Sequence, residues 1–399
     1  MKRCLGVILC LCFTIAFVND ATAYSFEYKT ATLEKTWVTA GYLIEYRFDG
    51  NVLGKTGKLS RGTLTIVPVR KGLERVGQVV TGKYVKNGFL VTKQTNLTND
   101  GMKVNILSGQ VCFYWSLEGE GTPVNKEFVF NWVSLWKNRC LTPEGIYTVP
   151  IKGYDTEGWF LTPSLHWEWA VLNGVYGGTD VWLKKEAGWA FYYYPQLVSM
   201  VYMPLLAKTG VIYTQPSCTY LGNLYGFGAG FYDTRFNTDC ADFLVEVGQS
   251  VGEPTYLWAT GQYKDYLLRH SVSYFWKIGD GILVADYSWV GSRKITHASL
   301  NHNLQEINFL LRLGDGKGFL LAQQILKGII AGGDSWIAPN GDLNYGYYGH
   351  GKYYGKDYEG LTLGDLKITK SLLFEYGWGI EYSSMIEKLI IAKENFLDK

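Results

Sequence analysis

The sequence has few charged residues and almost no imbalance between them. Asp, Glu, Lys and Arg make up 19% of the 399 residues, and 38 Lys plus Arg against 36 Asp plus Glu leave a net charge of +2. Such a balance gives no electrostatic reason for the chain to bind nucleic acid or an anionic membrane surface. We therefore expect no nucleic-acid partner.

Long apolar runs are missing after the first residues, so no transmembrane segment is predicted in the mature chain. The first residues themselves are typical of an export signal. Lys2 and Arg3 precede an apolar run, and Ala21-Thr22-Ala23 matches an A-x-A cleavage site. We expect residues 1–23 to be a signal peptide and the mature chain to be secreted, beginning at Tyr24.

Cysteine is scarce once the predicted signal is removed. Cys112, Cys140, Cys218 and Cys240 remain, an even number in a chain expected to be exported. Two disulfides follow, although four cysteines allow three connectivities. We favour Cys112–Cys140 and Cys218–Cys240 because each pair closes a shorter loop. The cysteine spacings match no metal site, and neither a metal nor a cofactor is predicted.

Aromatic residues, in contrast, are abundant. They make up 16% of the chain, including 30 Tyr and 14 Trp. Aromatic side chains with a polar group suit surfaces that are half apolar and half wet, such as saccharide-binding clefts. A β-rich core explains the same composition, so both interpretations stay open.

The front half of the chain is typical of strands. Its β-branched and aromatic segments are separated by Gly, Asn, Asp and Pro clusters. They are GTLTIVPV (Gly62–Val69), QVVTGKYV (Gln78–Val85), QVCFYWSL (Gln110–Leu117) and EFVFNWVSLW (Glu127–Trp136). We also assign Gly188–Tyr213 to strands, because Pro195 and Pro204 would interrupt a helix. Residues 24–215 are therefore predicted to form a mainly antiparallel β-rich domain.

Helical periodicity dominates the back half, residues 216–399. Apolar residues recur at helical spacing in Ala241–Gln249, Tyr256–Lys277, Ser299–Leu313, Gly318–Ile330, Leu361–Tyr376 and Tyr382–Phe396. Gly281–Trp289 is instead β-branched and short, as expected for a strand. Short connections between consecutive helices predict α/α hairpins, arranged as a partial toroid or as an ordinary bundle. The fold class is thus α+β.

One predicted helix, Ser299–Leu313, has an unusual polar surface. Residues three or four apart share a helix face, and the polar residues in and before this helix are His297, Asn301, His302, Asn303, Gln305, Glu306 and Asn308. Amides and imidazoles both donate and accept hydrogen bonds, as sugar hydroxyls require. The face is either the wall of a ligand pocket or simply solvated. His302 and Glu306, one turn apart, are either an acid/base pair or a surface contact.

A second candidate region is the aromatic loop at residues 335–360. Its Asn340-Gly341 turn joins short aromatic runs, which predicts a hairpin or a long loop over the helical domain. Trp336 and Tyr345 are candidates to stack on sugar rings, and Asp342 is a candidate to bind sugar hydroxyls. Tyr- and Gly-rich loops are also common in exported proteins without such a role.

The order of motifs in Ala241–Ile330 resembles the C-terminal domain of D-glucuronyl C5-epimerases. A helical hairpin (Phe243–His270) is followed by GDGILVADYSW and then by KITHASLNHNLQEINFLLRLGDGKGFLLAQQILKGI. The family has a β-rich domain ahead of a helical toroid, and its members epimerise C5 of a uronic acid. The resemblance implies the same architecture and a polysaccharide partner that contains uronic acid.

The resemblance also implies a pair of catalytic tyrosines, one on the strand and one at the start of the next helix. Tyr287 stands at the first position. The second position falls near Leu300, which carries no titratable group, and His297 and His302 beside it are our candidate substitutes. We expect Glu306 to take part in the chemistry with them.

The function we predict is an exported carbohydrate-active protein. Its most concrete form is an enzyme that abstracts the C5 proton of a uronate, with Asn301 and Gln305 orienting the sugar. One alternative is a polysaccharide lyase or glycoside hydrolase on the same scaffold. The other is a non-catalytic, secreted or surface-associated protein that binds glycans or proteins.

Overall fold

The structure is a computed structural model, and it describes residues 23–27, 31–38, 40–123, 139–165, 168 and 188–399. The predicted export signal lies outside these residues except for Ala23, and the predicted strand Glu127–Trp136 lies wholly outside them. Within the described ranges, every helix is too short or too polar to be a candidate for crossing a membrane.

The front of the chain folds into antiparallel strands. Their bounds are β1 Ala23–Glu27, β2 Ala31–Val38, β3 Gly41–Phe48, β4 Leu53–Leu59, β5 Gly62–Ile66, β6 Leu73–Val85, β7 Gly88–Asn96, β8 Met102–Ile106 and β9 Val111–Glu120. Seven of them form one sheet in the order β1-β2-β3-β4-β9-β6-β7, and β5 pairs with β8 in a separate ribbon. The strands predicted within Gly62–Val69, Gln78–Val85 and Gln110–Leu117 are confirmed.

Nearly all residues of strand β9 are buried. Because side chains on a strand alternate between the two sides of the sheet, both faces of the sheet are covered at this strand. Tyr114 packs on one side in a cluster with Leu64. Phe113 packs on the other side with Phe89. The front sheet therefore has a hydrophobic layer on each of its faces at this strand.

The remaining strands are short, and helices dominate after residue 188. The strands are β10 Arg139–Thr142, β11 Gly145–Thr148, β12 Tyr154–Asp155, β13 Phe160–Thr162, β14 Ser217–Cys218, β15 Tyr232–Asp233, β16 Phe275–Ile278, β17 Gly281–Val284, β18 Tyr287–Ser288, β19 Ala298–Ser299, β20 Asn344–Tyr347 and β21 Tyr353–Lys356. The helices are α1 Trp189–Thr209, α2 Thr219–Tyr225, α3 Thr234–Val251, α4 Pro254–Ser273, α5 Leu300–Leu313, α6 Gly316–Gly332, α7 Leu361–Glu375 and α8 Ile380–Leu397.

The strand prediction for Gly188–Tyr213 is wrong, since most of this segment is helix α1. The helix includes Pro195 and Pro204 in its interior and buries most of its residues. It packs against α3, α4 and β9, and burial on all sides outweighs the hydrogen bonds that two prolines remove. Gly210, with φ of 71°, ends the helix by donating its N–H to the Leu206 carbonyl. The position of the boundary between the two domains stays a prediction.

Each predicted helix of the back half is present, but the one predicted over Tyr256–Lys277 ends at Ser273, and its last residues belong to strand β16. The strand prediction within Gly281–Trp289 is confirmed as β17 and β18. Acidic residues cap several helices: Asp233 accepts from the N–H of Phe236 at the start of α3, and Asp315 accepts from that of Gly318 at the start of α6. Consecutive helices α3–α4, α5–α6 and α7–α8 pack on each other. Such pairs occur in a toroid and in a bundle, so the partial toroid stays a prediction.

The two predicted disulfides are wrong, because all four cysteines are free and buried. Cys112 packs on the Leu64 side of β9, whereas Cys140 belongs to the cluster on the opposite side. Cys218 packs in a small cluster with Phe231, and Cys240 lies within the main core. The members of each predicted pair thus belong to different hydrophobic clusters and fill them as small apolar side chains.

The aromatic loop forms a hairpin, β20–β21, which pairs through β20 with β19. Asp342 precedes this hairpin and Asp357 follows it, and both carboxylates contact the same buried ammonium. Nζ of Lys393, on α8, lies 2.7 Å from Asp342 Oδ1 and 2.9 Å from Asp357 Oδ2. Lys393 is fully buried. The ion pairs therefore fix both ends of the hairpin against the C-terminal helix.

Candidate functional site

The polar face of α5 is buried, so the interpretation of a simple solvated face is wrong. None of its polar residues is more than 5% exposed, from His297 through Asn308. Buried polar groups need hydrogen-bond partners, and these side chains divide into two groups according to the partners they have.

The first group connects elements of the fold. The Asn303 amide donates to the Val284 carbonyl at 3.1 Å and accepts from the Val284 N–H at 2.9 Å, which fixes β17 on α5. Gln305 donates to Asp242 Oδ2 at 2.9 Å. Asn308 accepts from the Thr369 hydroxyl at 2.7 Å. These amides therefore hold α5 to its neighbours, and Gln305, predicted to bind substrate, is among them.

The second group surrounds Asp286, which sequence reasoning did not single out. The Asp286 N–H donates to the His297 carbonyl, and the Asp286 carbonyl accepts from the Thr234 N–H, both at 2.9 Å. Its carboxylate accepts from the Ser299 N–H at 2.7 Å, directly before α5. Asp286 is thus fixed between the starts of α3 and α5, and its side chain is fully buried.

Asp286, His297 and Tyr225 form a chain of polar contacts, here named the Asp286–His297–Tyr225 relay. Nδ1 of His297 lies 2.9 Å from the Tyr225 hydroxyl oxygen, and the His297 N–H donates to the same oxygen at 3.0 Å. Nε2 of His297 lies 3.3 Å from Asp286 Oδ2. In the part of the chain that the structure describes, neither Nε2 nor Oδ2 has a hydrogen-bond partner, so these two atoms face each other without forming a hydrogen bond of ordinary geometry. A carboxylate, an imidazole and a phenol therefore lie in series.

The three members of the relay differ in exposure. Asp286 is 0% and His297 1% exposed, whereas Tyr225 is half-buried at the end of α2. Tyr225 is therefore the most exposed member of the relay.

The burial of the relay controls its proton affinities. Burial raises the pKa of Asp286 well above its ordinary value, although hydrogen bonds from Ser299 offset part of the shift. Burial lowers the pKa of His297 to about 3, so its imidazole is neutral at pH 7. Burial also raises the pKa of Tyr225, and the His297 N–H offsets part of that shift. At rest Tyr225 is therefore a neutral phenol beside a neutral imidazole.

The predicted acid/base pair of His302 and Glu306 is not formed by a direct contact. Nδ1 of His302 lies 2.8 Å from the Thr234 hydroxyl and 3.8 Å from Asp286 Oδ1. Among the described residues, neither oxygen of the fully buried Glu306 has a hydrogen-bond partner of ordinary geometry. Burial, then the charge of Asp286, raise the pKa of Glu306 well above its ordinary value, and the Thr234 hydroxyl offsets part of this.

A wall of tyrosines extends from His297 to the surface. Tyr348 is stacked on the His297 ring with centroids 4.8 Å apart, and Tyr354 is stacked on Tyr348 at 4.0 Å. Tyr345 lies 5.7 Å from the His297 ring. Tyr354 is 50% exposed. The hairpin β20–β21 thus covers the relay with aromatic rings and presents one of them to solvent.

Tyr287, predicted as catalytic, lies within this site. Its ring centroid is 5.6 Å from that of His297 and 5.6 Å from that of His302, edge-on to both. Burial raises its pKa well above the ordinary value. The predicted residues Tyr287, His297, His302, Glu306 and Tyr345 are therefore brought together.

Other predicted site residues lie elsewhere. Trp336 is fully buried in the main core and donates its indole N–H to the Ile329 carbonyl at 3.0 Å, so no sugar can stack on it. Asp342 is paired with Lys393 below the hairpin. The backbone carbonyl of Asn301 accepts from Arg235 at 3.0 Å, and its side chain is buried. Trp336 and Asp342 therefore support the fold rather than line the site, whereas the role of Asn301, whose Oδ1 has no hydrogen-bond partner among the described residues, stays a prediction.

Sequence reasoning missed two members of the relay. Asp286 stands next to Tyr287 in ADYSW, so a search for carboxylates beside the predicted tyrosine would have found it. Tyr225 lies 72 positions before His297, in a short helix among many Gly and Tyr residues, and no sequence signal marks it. Over the described residues, no group of three or more His, Cys, Asp or Glu side chains is placed to hold a metal ion.

We expect Glu306→Gln to stabilise the fold at high pH. Because burial raises the pKa of Glu306, the wild type loses stability as pH rises from the unfolded value of about 4.3 through the folded value. The melting temperature of the variant should exceed that of the wild type by about 2 °C or more at pH 8, and the difference should shrink toward pH 4. Glu359→Gln, at an exposed carboxyl, is the control. A difference that does not vary with pH would contradict this assignment.

No family model matches the sequence, and no curated protein matches it. Solved structures are similar to it at low identity. A family 76 glycoside hydrolase from a bovine Bacteroides thetaiotaomicron strain is 9% identical, with 94% of this chain and 77% of that chain covered and a TM-score of 0.47.

A sugar epimerase from a ruminal bacterium is 12% identical, with 67% of this chain and 68% of that chain covered and a TM-score of 0.43. The unsaturated glucuronyl hydrolase of Bacillus sp. GL1 is 13% identical, with 57% of this chain and 58% of that chain covered and a TM-score of 0.36. All three scores lie below 0.5, so neither a fold family nor an activity is assigned to this chain from them.

Proposed function

We propose that this protein is a carbohydrate-acting enzyme that removes the C5 proton of a uronic acid residue, with Tyr225 as the base. The observation that carries the proposal is the relay: a half-buried phenol backed by a buried imidazole and a buried carboxylate. A proton next to a carboxylate requires a base in contact with it and a path for the proton that the base gives up. The relay supplies both.

The first step moves protons along the relay. The step requires a pH at which Asp286 is ionised, because its negative charge is what favours an imidazolium at His297. With Asp286 ionised and His297 carrying its proton on Nε2, Tyr225 gives its hydroxyl proton to Nδ1 of His297. The Tyr225 oxygen then takes the C5 proton, and the electron pair of the C–H bond moves into the uronate carboxylate. The imidazolium formed has its Nε2–H facing Asp286, and the His297 N–H stabilises charge on the phenol oxygen.

Tyr287 is our second acid/base group. In an epimerase it returns a proton to the opposite face of C5. In a lyase the electron pair instead expels the leaving group at C4, and the phenol protonates that oxygen. The two reactions share the first step, so a lyase is the second candidate. The wall of Tyr348 and Tyr354 offers aromatic faces to neighbouring sugar rings.

The same burial argues against a glycoside hydrolase. Such an enzyme needs two carboxyl groups about 5–10 Å apart that reach the glycosidic bond and a water. Asp286 and Glu306 are both 0% exposed, behind the aromatic side chains, and cannot touch a glycosidic oxygen. The more exposed polar groups of this site are the phenols of Tyr225, Tyr348 and Tyr354.

The test is an incubation with uronate polysaccharides, namely alginate, polygalacturonate, heparosan, hyaluronan and chondroitin. The proposal predicts a changed epimer ratio, or the absorbance of an unsaturated uronate, with one of them. New reducing ends without that absorbance indicate a hydrolase and overturn the proposal. Binding without any product favours the non-catalytic alternative. Secretion, predicted from residues 1–23, extends the proposal to polysaccharides outside the cell.

The proposal also predicts how the reaction rate depends on pH. Asp286 must be ionised for the relay to act as a base, and burial raises its pKa. The rate should therefore rise with pH through a pKa above the ordinary aspartate value of about 3.9. Asp286→Asn should lower kcat about a hundredfold and abolish this limb of the profile. An unchanged pH profile in the variant would exclude Asp286 from the relay.

A further inference from the structure

A cavity lies in the front of the chain, on the face of the seven-stranded sheet that the β5–β8 ribbon borders. Its volume is about 370 Å³, within the range of small-ligand sites. Side chains of β2, β3, β4 and β9 form its floor, and residues of β5 form one wall. Neither the relay nor the proposed reaction uses any of these elements.

The register of the sheet explains the polar floor. Glu45 on β3 lies directly opposite Lys55 on β4, and Lys55 lies directly opposite Ser116 on β9. Residues opposite each other project from the same face of a sheet. One continuous polar row, Glu45–Lys55–Ser116, therefore crosses three strands beneath the cavity.

An aromatic ring lies beside this row. Tyr114 on β9 is opposite Gly57 on β4, and a Cβ added at Gly57 would meet the Tyr114 ring at 2.0 Å. Gly57 thus leaves the space that the ring occupies. Leu43 and Leu64, which also line the cavity, add apolar surface. A ring with an apolar face and polar edges matches this surface.

Part of the hydrogen-bonding capacity is unused. The Tyr114 hydroxyl makes no hydrogen bond to any residue that the structure describes, and Lys55 Nζ lies 3.6 Å from Glu118 Oε1, beyond hydrogen-bond distance. Arg75, in contrast, is engaged: it donates to Glu118 Oε1 at 2.9 and 3.0 Å and to the Val67 carbonyl at 2.7 Å. The cavity thus offers a phenol and an ammonium to a ligand, while Arg75 holds Glu118 in place.

We infer that this cavity is a second saccharide-binding site, separate from the relay and specific for uncharged sugar residues. Hydroxyl groups match the phenol, ammonium, carboxylate and serine groups of the floor, each of which donates or accepts hydrogen bonds. The carboxylates of Glu34, Glu45 and Glu118 outnumber the cations Lys55 and Arg75 around the cavity. This excess of negative charge disfavours a uronate. The front sheet would hold a neutral part of a glycan.

The test is isothermal titration of the protein with neutral gluco-, manno-, xylo- and galacto-oligosaccharides and with oligouronates. We expect one neutral series to bind, and Lys55→Met and Tyr114→Phe each to weaken that binding about tenfold. Lys86→Met, at an exposed lysine outside the cavity, is the matched control. Circular dichroism checks that each variant is folded, and Tyr114→Phe keeps the buried ring.

Tyr225→Phe should leave this binding unchanged, which separates the inference from the proposed reaction: either can fail alone. The inference is overturned if no neutral oligosaccharide binds at about 10 mM, or if both cavity variants bind as the wild type does. It is also overturned if Lys55→Met weakens the binding of oligouronates more than that of neutral sugars.

Discussion

We expect Tyr225→Phe to lower kcat on a uronate polysaccharide about a thousandfold, with KM changed only a few-fold. The substitution keeps the ring that is stacked near His297, with planes 30° apart, and removes only the hydroxyl. The proposed base is then gone, whereas the surfaces proposed to hold the sugar remain. Steady-state kinetics on the polysaccharide identified as substrate measure both parameters.

Tyr213→Phe is the matched control for this variant, since Tyr213 is exposed and its hydroxyl contacts Tyr266 rather than the relay. Its kcat should equal that of the wild type. If Tyr225→Phe retains more than about a tenth of the wild-type kcat, the base is another group. Tyr287→Phe tests the most direct candidate.

The second large effect concerns stability. Lys393→Met should lower the free energy of unfolding by about 3–5 kcal/mol, because it leaves the buried carboxylates of Asp342 and Asp357 without their cation. It should also loosen both ends of the β20–β21 hairpin, which carries Tyr348 onto the His297 ring. Urea unfolding measures the first effect, and kcat below the unfolding temperature measures the second.

Lys388→Met on the same helix is the control. Its ammonium pairs with Asp334, and the two side chains are 50% and 76% exposed, so its loss should change stability by less than about 1 kcal/mol. Adding Asp342→Asn and Asp357→Asn to Lys393→Met should recover much of the lost stability, since the unpaired charges are then gone. A Lys393→Met protein as stable as the control would show that the buried ion pairs do not hold the hairpin.

Helices α3 to α8 could be predicted from the sequence because each keeps an apolar stripe at helical spacing between short polar turns. Helix α1 could not. It is buried over most of its surface, so its residues show no contrast between a wet and a dry face, and its two prolines indicate a break. Tertiary packing determines its conformation, and that information lies in distant segments.

The candidate site could be predicted only in part, because its contacts also depend on segments that are distant in sequence. The unusual residue types on α5 marked its polar face, but pattern alone could not separate Asn303 and Gln305, which bind other elements of the fold, from His297, which faces Asp286 and Tyr225. The tyrosine expected near Leu300 is not in that helix. A tyrosine from α2 instead contacts His297, through a pairing that only the fold creates.

The cysteines illustrate the limit of loop-length arguments. Short loops favoured Cys112–Cys140, yet β9 places Cys112 on one face of the sheet while Cys140 packs on the other. The alternation of side chains along β9 determines the face on which Cys112 lies. Which segments pack on each face depends on the whole fold, and loop length does not reveal it.

The central claim is that this protein removes the C5 proton of a uronate, and proton exchange tests it without regard to the final product. The wild type and Tyr225→Phe are incubated in heavy water with the same panel of uronate polysaccharides, and deuterium at C5 is measured by NMR and mass spectrometry. We predict that the wild type incorporates deuterium at C5 of one polysaccharide and that Tyr225→Phe incorporates about a thousandfold less per unit time. No deuterium and no unsaturated product with any of them, or equal exchange by the two proteins, would contradict the claim.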